Sequence, residues 1–289
     1  MPAARGLPSG KPGVFAGAFP AGLRLYPTMK RREFITSSVA AAAPALMSQG
    51  AESGKSPARE FYELRLYHLR RGPLVKRFDD FYKDVAVPAW NRAGVGTVGV
   101  FDVFIGPDNP TKYVLLPFAS LDAMTAAHER FEADPEVQKA EFTNVPATDP
   151  SYTRKQSSLM RAFAGLPKLE VPPQTAEKKP RIFEVRTYEA HSRKANRKKV
   201  EMFDTGEIAL FRRTGLRPVF FGETIIGTKL PQLTYMLSFA DMVEREKNWA
   251  TFIADPEWKK MSSTPGFTDP EILTNINSVF LRPTAYSQV

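Results

Sequence analysis

Tyr62-Glu63-Leu64-Arg65-Leu66-Tyr67 returns 121 residues later as Phe183-Glu184-Val185-Arg186-Thr187-Tyr188. The same offset, without a gap, lays Arg92-Ala93-Gly94 on Arg213-Thr214-Gly215, Gly106 on Gly227 and Phe118-Ala119 on Phe239-Ala240. It also lays Phe131-Glu132-Ala133-Asp134-Pro135-Glu136 on Phe252-Ile253-Ala254-Asp255-Pro256-Glu257, and Arg161 on Arg282. A register held this long is a duplicated unit, and duplication decides the architecture before any single motif does. The first copy is expected over residues 59–165 and the second over 181–283, with a tail at 284–289. Residues 166–180 between them are Pro-rich and charged and read as an extended linker.

Within a copy the pattern is strand, helix, strand, strand, helix, strand. Residues 60–68 alternate and are rich in Tyr and Leu, which suits a strand. Pro73 stands at a favourable helix start, and Leu74, Phe78, Phe81, Val85 and Ala89 follow at helical spacing until Gly94. Pro88 is expected to kink or shorten that helix, because it has no N–H to give. Val98 to Ile105 and Lys112 to Ala119 form a hairpin about Gly106-Pro107-Asp108-Asn109-Pro110. A helix from Leu121 to about Ala133 breaks at Asp134-Pro135, a short helix resumes over Glu136 to Phe142, and the last strand lies near Ser157 to Ala164.

A βαββαβ unit is ferredoxin-like, with one antiparallel sheet and both helices on one face. The other face is apolar and bare, so a tandem copy is the natural cover for it. The fold class is therefore α+β: two tandem ferredoxin-like units packed sheet to sheet as an intrachain dimeric α/β barrel.

Residues 1–58 lie outside the repeat. Lys30-Arg31-Arg32-Glu33-Phe34-Ile35 before an Ala-rich run matches a twin-arginine export signal, with Arg31, Arg32, Phe34 and Ile35 as its signal residues. Met29 precedes it directly, so translation is expected there, with residues 1–28 an over-extension, the signal about 29–50 and a small polar linker after it. Pro44 and the short apolar run argue against a spanning helix. Export to the periplasm or beyond is the expected destination, and a mitochondrial transit peptide is the alternative.

The net charge of +9 divides into +5 for the leader, which has seven Lys or Arg against two acids, and +4 for the rest. That remainder demands no polyanion, so no nucleic-acid partner is expected, and at most peripheral membrane contact. With no cysteine, disulfides, thiol nucleophiles and Cys-type zinc sites are excluded. His68, His128 and His191 lack partners at metal-ligand spacing, and none is repeated in the other copy. Ser37-Ser38, Ser157-Ser158 and Ser262-Ser263 lack a nucleophile elbow, and no Gly-rich phosphate loop occurs. Neither metal nor cofactor is implied.

Polar residues that repeat are the candidate site. Glu63, Arg65 and Tyr67 share one strand face, as do Glu184, Arg186 and Tyr188. The offset adds Asp102 with Glu223, Arg92 with Arg213, and Arg161 with Arg282. Should the Glu-x-Arg-x-Tyr face look into the barrel, with helices covering the Leu and Val face, it offers guanidinium forks for a carboxylate or phosphate and a Tyr donor. Otherwise Glu and Arg neutralise one another in a network that binds nothing. The run His191-Ser192-Arg193-Lys194-Ala195-Asn196-Arg197-Lys198-Lys199 reads as a solvated face, with a membrane-surface or acidic-partner contact as the alternative.

Tyr-Glu-Leu-Arg-x-Tyr opening a strand, a Gly ending the next helix, and Asp255-Pro256-Glu257-Trp258-Lys259 after a helix together resemble NIPSNAP proteins, over Arg59 to Arg282. The first copy carries Asp134-Pro135-Glu136-Val137-Gln138 in place of the last motif. The resemblance implies the dimeric α/β-barrel superfamily, which includes antibiotic-biosynthesis-type monooxygenases and haem-degrading or dye-decolourising relatives. Eukaryotic NIPSNAP proteins look like mitochondrial scaffold and quality-control factors. No catalytic group is recognisable, so a binder of a small or acidic ligand, or of a protein partner, is expected rather than an enzyme. Two alternatives stand beside it: a cofactor-independent monooxygenase-type or lyase-type enzyme using the barrel cavity, and a structural or interaction module with a basic-patch contact. The pseudo-dimer lies within one chain, and further homo-oligomerisation is left open.

Overall fold

The structure is a computed structural model that describes residues 58–289, so the leader and its signal residues Arg31, Arg32, Phe34 and Ile35 lie outside the described residues. The first unit's strands are β1 (Phe61–His68), β2 (Gly99–Ile105), β3 (Thr111–Phe118) and β4 (Arg154–Ala162). Those of the second are β5 (Ile182–Glu189), β6 (Arg217–Ile226), β7 (Gln232–Phe239) and β8 (Asn275–Pro283). All pair antiparallel in a closed barrel ordered β1-β3-β2-β8-β5-β7-β6-β4. Each unit keeps the ferredoxin-like order within itself. Closure comes from two seams between units, β2 on β8 and β4 on β6, which leave no open edge.

Helices cover the outside. In the first unit these are α1 (Pro73–Phe81), α2 (Val87–Arg92), α3 (Leu121–Ala133) and α4 (Pro135–Lys139). The segment between units holds α5 (Pro173–Ala176). The second unit has α6 (Arg193–Met202), α7 (Ile208–Arg213), α8 (Met242–Ala254), α9 (Pro256–Ser262) and α10 (Asp269–Ile272). Ser120 and Asp241 cap α3 and α8 by accepting from the backbone three residues on, and Asp134 and Asp255 cap the helices that begin at the following proline. Gly94 ends α2 at a φ of 102°, where Val95 N–H reaches back to the Trp90 carbonyl at 3.0 Å; only Gly adopts that backbone freely. Among the described residues no helix is long and apolar enough to cross a membrane.

Pro88 does not shorten its helix. A π turn, Tyr82–Ala86, joins α1 to α2, and the chain stays helical through Pro88 to Arg92. Phe203–Glu207 forms the same turn at the equivalent place between α6 and α7, where Ala209 stands opposite Pro88. The widened turn therefore belongs to the repeated backbone and the proline is accommodated by it.

The segment at 166–180 is more than a tether. Leu166 is buried, Glu60 N–H donates to the Pro167 carbonyl at 2.9 Å, and Glu170 N–H donates to the Val219 carbonyl at 2.9 Å. In the tail, Thr284 and Gln288 N–H groups bond the carbonyls of Val100 and Val98.

Of the two ways the strand faces could lie, the structure has the Leu and Val face inward. The barrel interior is filled by Tyr62, Leu64, Phe101, Phe183, Val185 and Phe220 with their neighbours, all close to fully buried. The Glu-x-Arg-x-Tyr faces point outward, under the helices, where Tyr67 and Tyr188 join the two sheet–helix cores. Apolar residues suit the middle of the lumen because side chains from both units meet there. The helix layer can tolerate charge because helix side chains are long enough to reach and neutralise it.

Candidate functional site

In the first unit, alternation along β1 sets Glu63, Arg65 and Tyr67 under α2 and α3. Arg65 grips Glu63 in a side-on fork, Nε to Oε1 at 2.6 Å and Nη2 to Oε2 at 2.9 Å, with both side chains buried. Ser157 on β4 donates to Oε1 at 2.7 Å, and His128 on α3 places Nε2 2.8 Å from Oε2. The guanidinium lies 4.9 Å from the Trp90 ring centroid, and Trp90 stacks on Phe131. Burial alone pushes the Glu63 carboxyl up. The bonds from His128, Arg65 and Ser157 outweigh it and hold the carboxyl well below the usual carboxylate range.

Beside this cluster opens a cavity of about 440 Å³. Arg65, His128 and Lys155 bring polar chemistry to it, and Tyr82, Trp90 and Phe142 are among its aromatic walls. Burial raises the phenols of Tyr67 and Tyr82, and the neighbouring Arg65 opposes this only in part, so both remain hydroxyl donors at neutral pH. Lys155, on the same strand as Ser157, is pushed below the ordinary lysine value by burial and by Arg65. A guanidinium, an ammonium and two phenols around an aromatic-walled hole suit an anion with a flat apolar body.

The second unit uses the same frame differently. Glu184 is fully buried and receives Arg186 Nη1 at 2.9 Å, Arg245 through Nε and Nη2 at 3.0 and 2.9 Å, and Trp249 Nε1 at 2.9 Å. Trp249 stands where His128 stands in the first unit and gives the same bond to the same oxygen. Ile276 replaces Lys155, and Phe203 replaces Tyr82. The Tyr188 and Tyr235 hydroxyls meet at 2.8 Å. Here the carboxylate is closed over by side chains, and the cluster is a neutralised network of the kind that sets packing.

The other repeated candidates lie apart from these clusters. Arg92 pairs with Asp134 at 2.7 Å and Arg213 with Asp255 at 2.8 Å, exposed bridges from one helix end to the next helix cap. Asp102 faces Arg282 across the β2–β8 seam, and Arg161 faces Glu223 across the β4–β6 seam. Asp102 is taken by Lys112 at 2.6 Å, Arg282 lies over Phe104 at 3.7 Å, and Glu223 accepts from Asn196 at 3.2 Å. In the basic run, Arg193, Lys194 and Arg197 are exposed, whereas Lys199 is buried against Glu207 at 3.2 Å. That lysine belongs to the core and not to a solvated face.

His128 and Lys155 were missed by reading for repetition, because each occurs in one copy only. Their signal was the offset itself, which sets His128 on Trp249 and Lys155 on Ile276. Among the described residues no three ligand-type side chains converge as a metal site.

Comparison with known proteins extends the internal one. The sequence model of the family described as NIPSNAP matches residues 62–164 and again 183–288. No curated protein is similar to the chain. Among solved structures, an uncharacterized NIPSNAP-like domain protein from Burkholderia xenovorans is 25% identical, covering 37% of this chain and 88% of its own at a TM-score of 0.34. A NIPSNAP family protein with unknown function from Agrobacterium tumefaciens is 17% identical, covering 37% of this chain and 92% of its own at 0.34. A candidate monooxygenase from Lactobacillus acidophilus is 9% identical, covering 80% of this chain and 97% of its own at 0.49.

Proposed function

This chain belongs to the NIPSNAP family, with one family domain at 62–164 and a second at 183–288, and on that premise we propose that it binds a small aromatic acid in the cavity of its first domain. One observation carries the reading. The cavity wall holds Arg65, His128 and Lys155, whereas the matching frame of the second domain replaces two of the three with Trp249 and Ile276. A purely structural network has no use for that difference, since Glu184 is neutralised without it. The ligand's carboxylate would sit between Arg65 and Lys155, accepting from the Tyr67 and Tyr82 hydroxyls, with its ring among Trp90, Phe131 and Phe142.

A second reading is favoured by the His128–Glu63 contact. A histidine oriented by a buried carboxylate at a cavity wall is the arrangement of a general base, and Arg65 beside it would stabilise the anion formed. The protein would then be a cofactor-independent lyase-type or oxygenase-type enzyme.

The leader is proposed to send the folded protein out of the cytoplasm by the twin-arginine route, on the strength of Arg31, Arg32, Phe34 and Ile35. N-terminal mass spectrometry of the protein from its own host should find a start beyond residue 43; an intact leader in the exported fraction would sink that part.

Native mass spectrometry of protein from its own host, with benzoate titration followed by Trp90 fluorescence, tests the binding. Lys155→Gln and Arg65→Met should each weaken benzoate binding, while Arg186→Met leaves it intact. Equal benzoate response in the wild type, Lys155→Gln and Arg65→Met would exclude the site. His128→Gln separates the readings: unchanged binding with lost turnover of a co-purified molecule favours the enzyme.

A further inference from the structure

The barrel interior offers a second place for a ligand, separate from the aromatic cavity. Toward one end the lumen is closed by aromatic pairs, Tyr62 with Phe220 and Phe101 with Phe183. At the other end the packing stops short, leaving a cavity of about 300 Å³. Its floor is apolar, with Leu64, Leu66, Met160, Val185 and Val279. Above the floor stands a ring of amides and hydroxyls, including Gln156, Asn277, Gln232 and Thr234. The 121-residue offset relates Gln156 to Asn277 and Asp108 to Lys229, so both domains contribute to the mouth.

Gln232 decides what this mouth lacks. It is 5% exposed, it shares a face of β7 with the lumen residue Met236 four positions on, and its Oε1 has no hydrogen-bond partner among the described residues. A buried acceptor left unmade costs about 1–3 kcal/mol, so the site calls for a donor from outside the chain. Its neighbours are already occupied: Gln156 Oε1 lies 3.1 Å from His68 Nε2, and the Thr187 and Thr234 hydroxyls pair at 3.2 Å. The rim is less committed. Arg154 approaches Asp108 only to 3.7 Å and Lys229 approaches Glu189 only to 3.6 Å, both beyond hydrogen-bond length.

We propose that this mouth binds a small hydroxy acid, with a hydroxyl donating to Gln232 and the carboxylate held at the rim by Arg154 and Lys229. A hydroxyl fits the depth better than an ammonium, because the floor holds no carboxylate to pair with a buried cation. The Leu and Val floor packs against the C–H faces of the carbon chain. The site exists only in the fused barrel, since Arg154 comes from the first domain and Gln232 and Lys229 from the second.

The test is calorimetric titration of the intact protein with gluconate, with glucose and alanine as controls. Gluconate should saturate and bind more tightly than either control. Gln232→Leu should weaken it by about tenfold, the loss of one hydrogen bond with its desolvated partner. Lys229→Gln, an exposed change that leaves the core alone, should weaken it as well, so the proposal stays testable if the Gln232 variant folds poorly. Lys155→Gln should leave gluconate binding unchanged while it weakens benzoate binding, which keeps the two sites distinguishable. The proposal is overturned if gluconate shows no binding at tens of millimolar, if alanine binds equally, or if Lys229→Gln and a folded Gln232→Leu both bind gluconate as the wild type does.

Discussion

Arg65 and Arg186 occupy the same position in their domains and meet different surroundings. Each neutralises a buried carboxylate, but Glu184 keeps Arg245 when Arg186 is lost, whereas Arg65 is the one guanidinium on Glu63 among the described residues. Arg65→Met should therefore cost about 3–5 kcal/mol of stability, measured by denaturant unfolding, and Arg186→Met less. The carboxyls of Glu63 and Glu184 are both held below their ordinary value of 4.5, against the upward push of burial, by the arginines and by hydrogen bonds such as that from His128. A depressed folded pKa gives stability that is present above the unfolded value and is lost as pH falls through the folded one. Thermal melting should therefore hold from neutral pH down to about the ordinary glutamate value and fall steeply in more acid solution. Glu63→Gln with Glu184→Gln should be less stable at neutral pH and show a flatter acid limb; an unchanged acid limb would remove these two residues from the account. At this scale repetition singled out Glu63, Arg65, Glu184 and Arg186, which the structure holds as two ion pairs, but passed over His128 and Lys155. Repetition selects what both domains need to fold, and a site kept in one domain is hidden by that filter.

Among the elements, the π turn between α1 and α2 most directly shapes the site. It sets the phase of α2, which carries Trp90 against Arg65 and Phe131. Deleting Val85 would restore an α-helical turn and rotate the following residues by about 100°. Benzoate binding in the first domain should then be lost along with the Trp90 fluorescence response, while deletion of Gly206 in the second domain should lower melting temperature and spare binding. Retained binding after the Val85 deletion would show that the turn does not position the wall. Sequence periodicity could not find this turn. Leu74, Phe78 and Phe81 fit an α period, and one extra residue in the ladder shifts the later apolar positions without breaking the pattern.

For the whole molecule, the seams matter most. Cutting the chain after residue 165 would expose β2, β4 and the apolar lumen face of the first domain at once. The separated first domain should therefore be dimeric or aggregated by light scattering, with two copies rebuilding the barrel, and mixing with the second domain should restore the heterologous pair. A stable, soluble monomer would contradict the need for closure. The gluconate mouth should be lost in either separated domain, whereas a rebuilt first-domain dimer should keep benzoate binding.

Sequence alone determined that a βαββαβ unit occurs twice and that its two sheets must meet, because an offset and an apolar alternation are properties of chain order. It also determined which residues share a strand face, since side chains alternate whatever the strand packs against. Only the tertiary structure decided which face meets the helices. Both faces of β1 carry large side chains, Tyr62, Leu64 and Leu66 on one and Glu63, Arg65 and Tyr67 on the other, so alternation could not rank them. The choice was made across the chain, by His128, Ser157 and Trp249 reaching the carboxylates from distant elements, and no local pattern records such a reach.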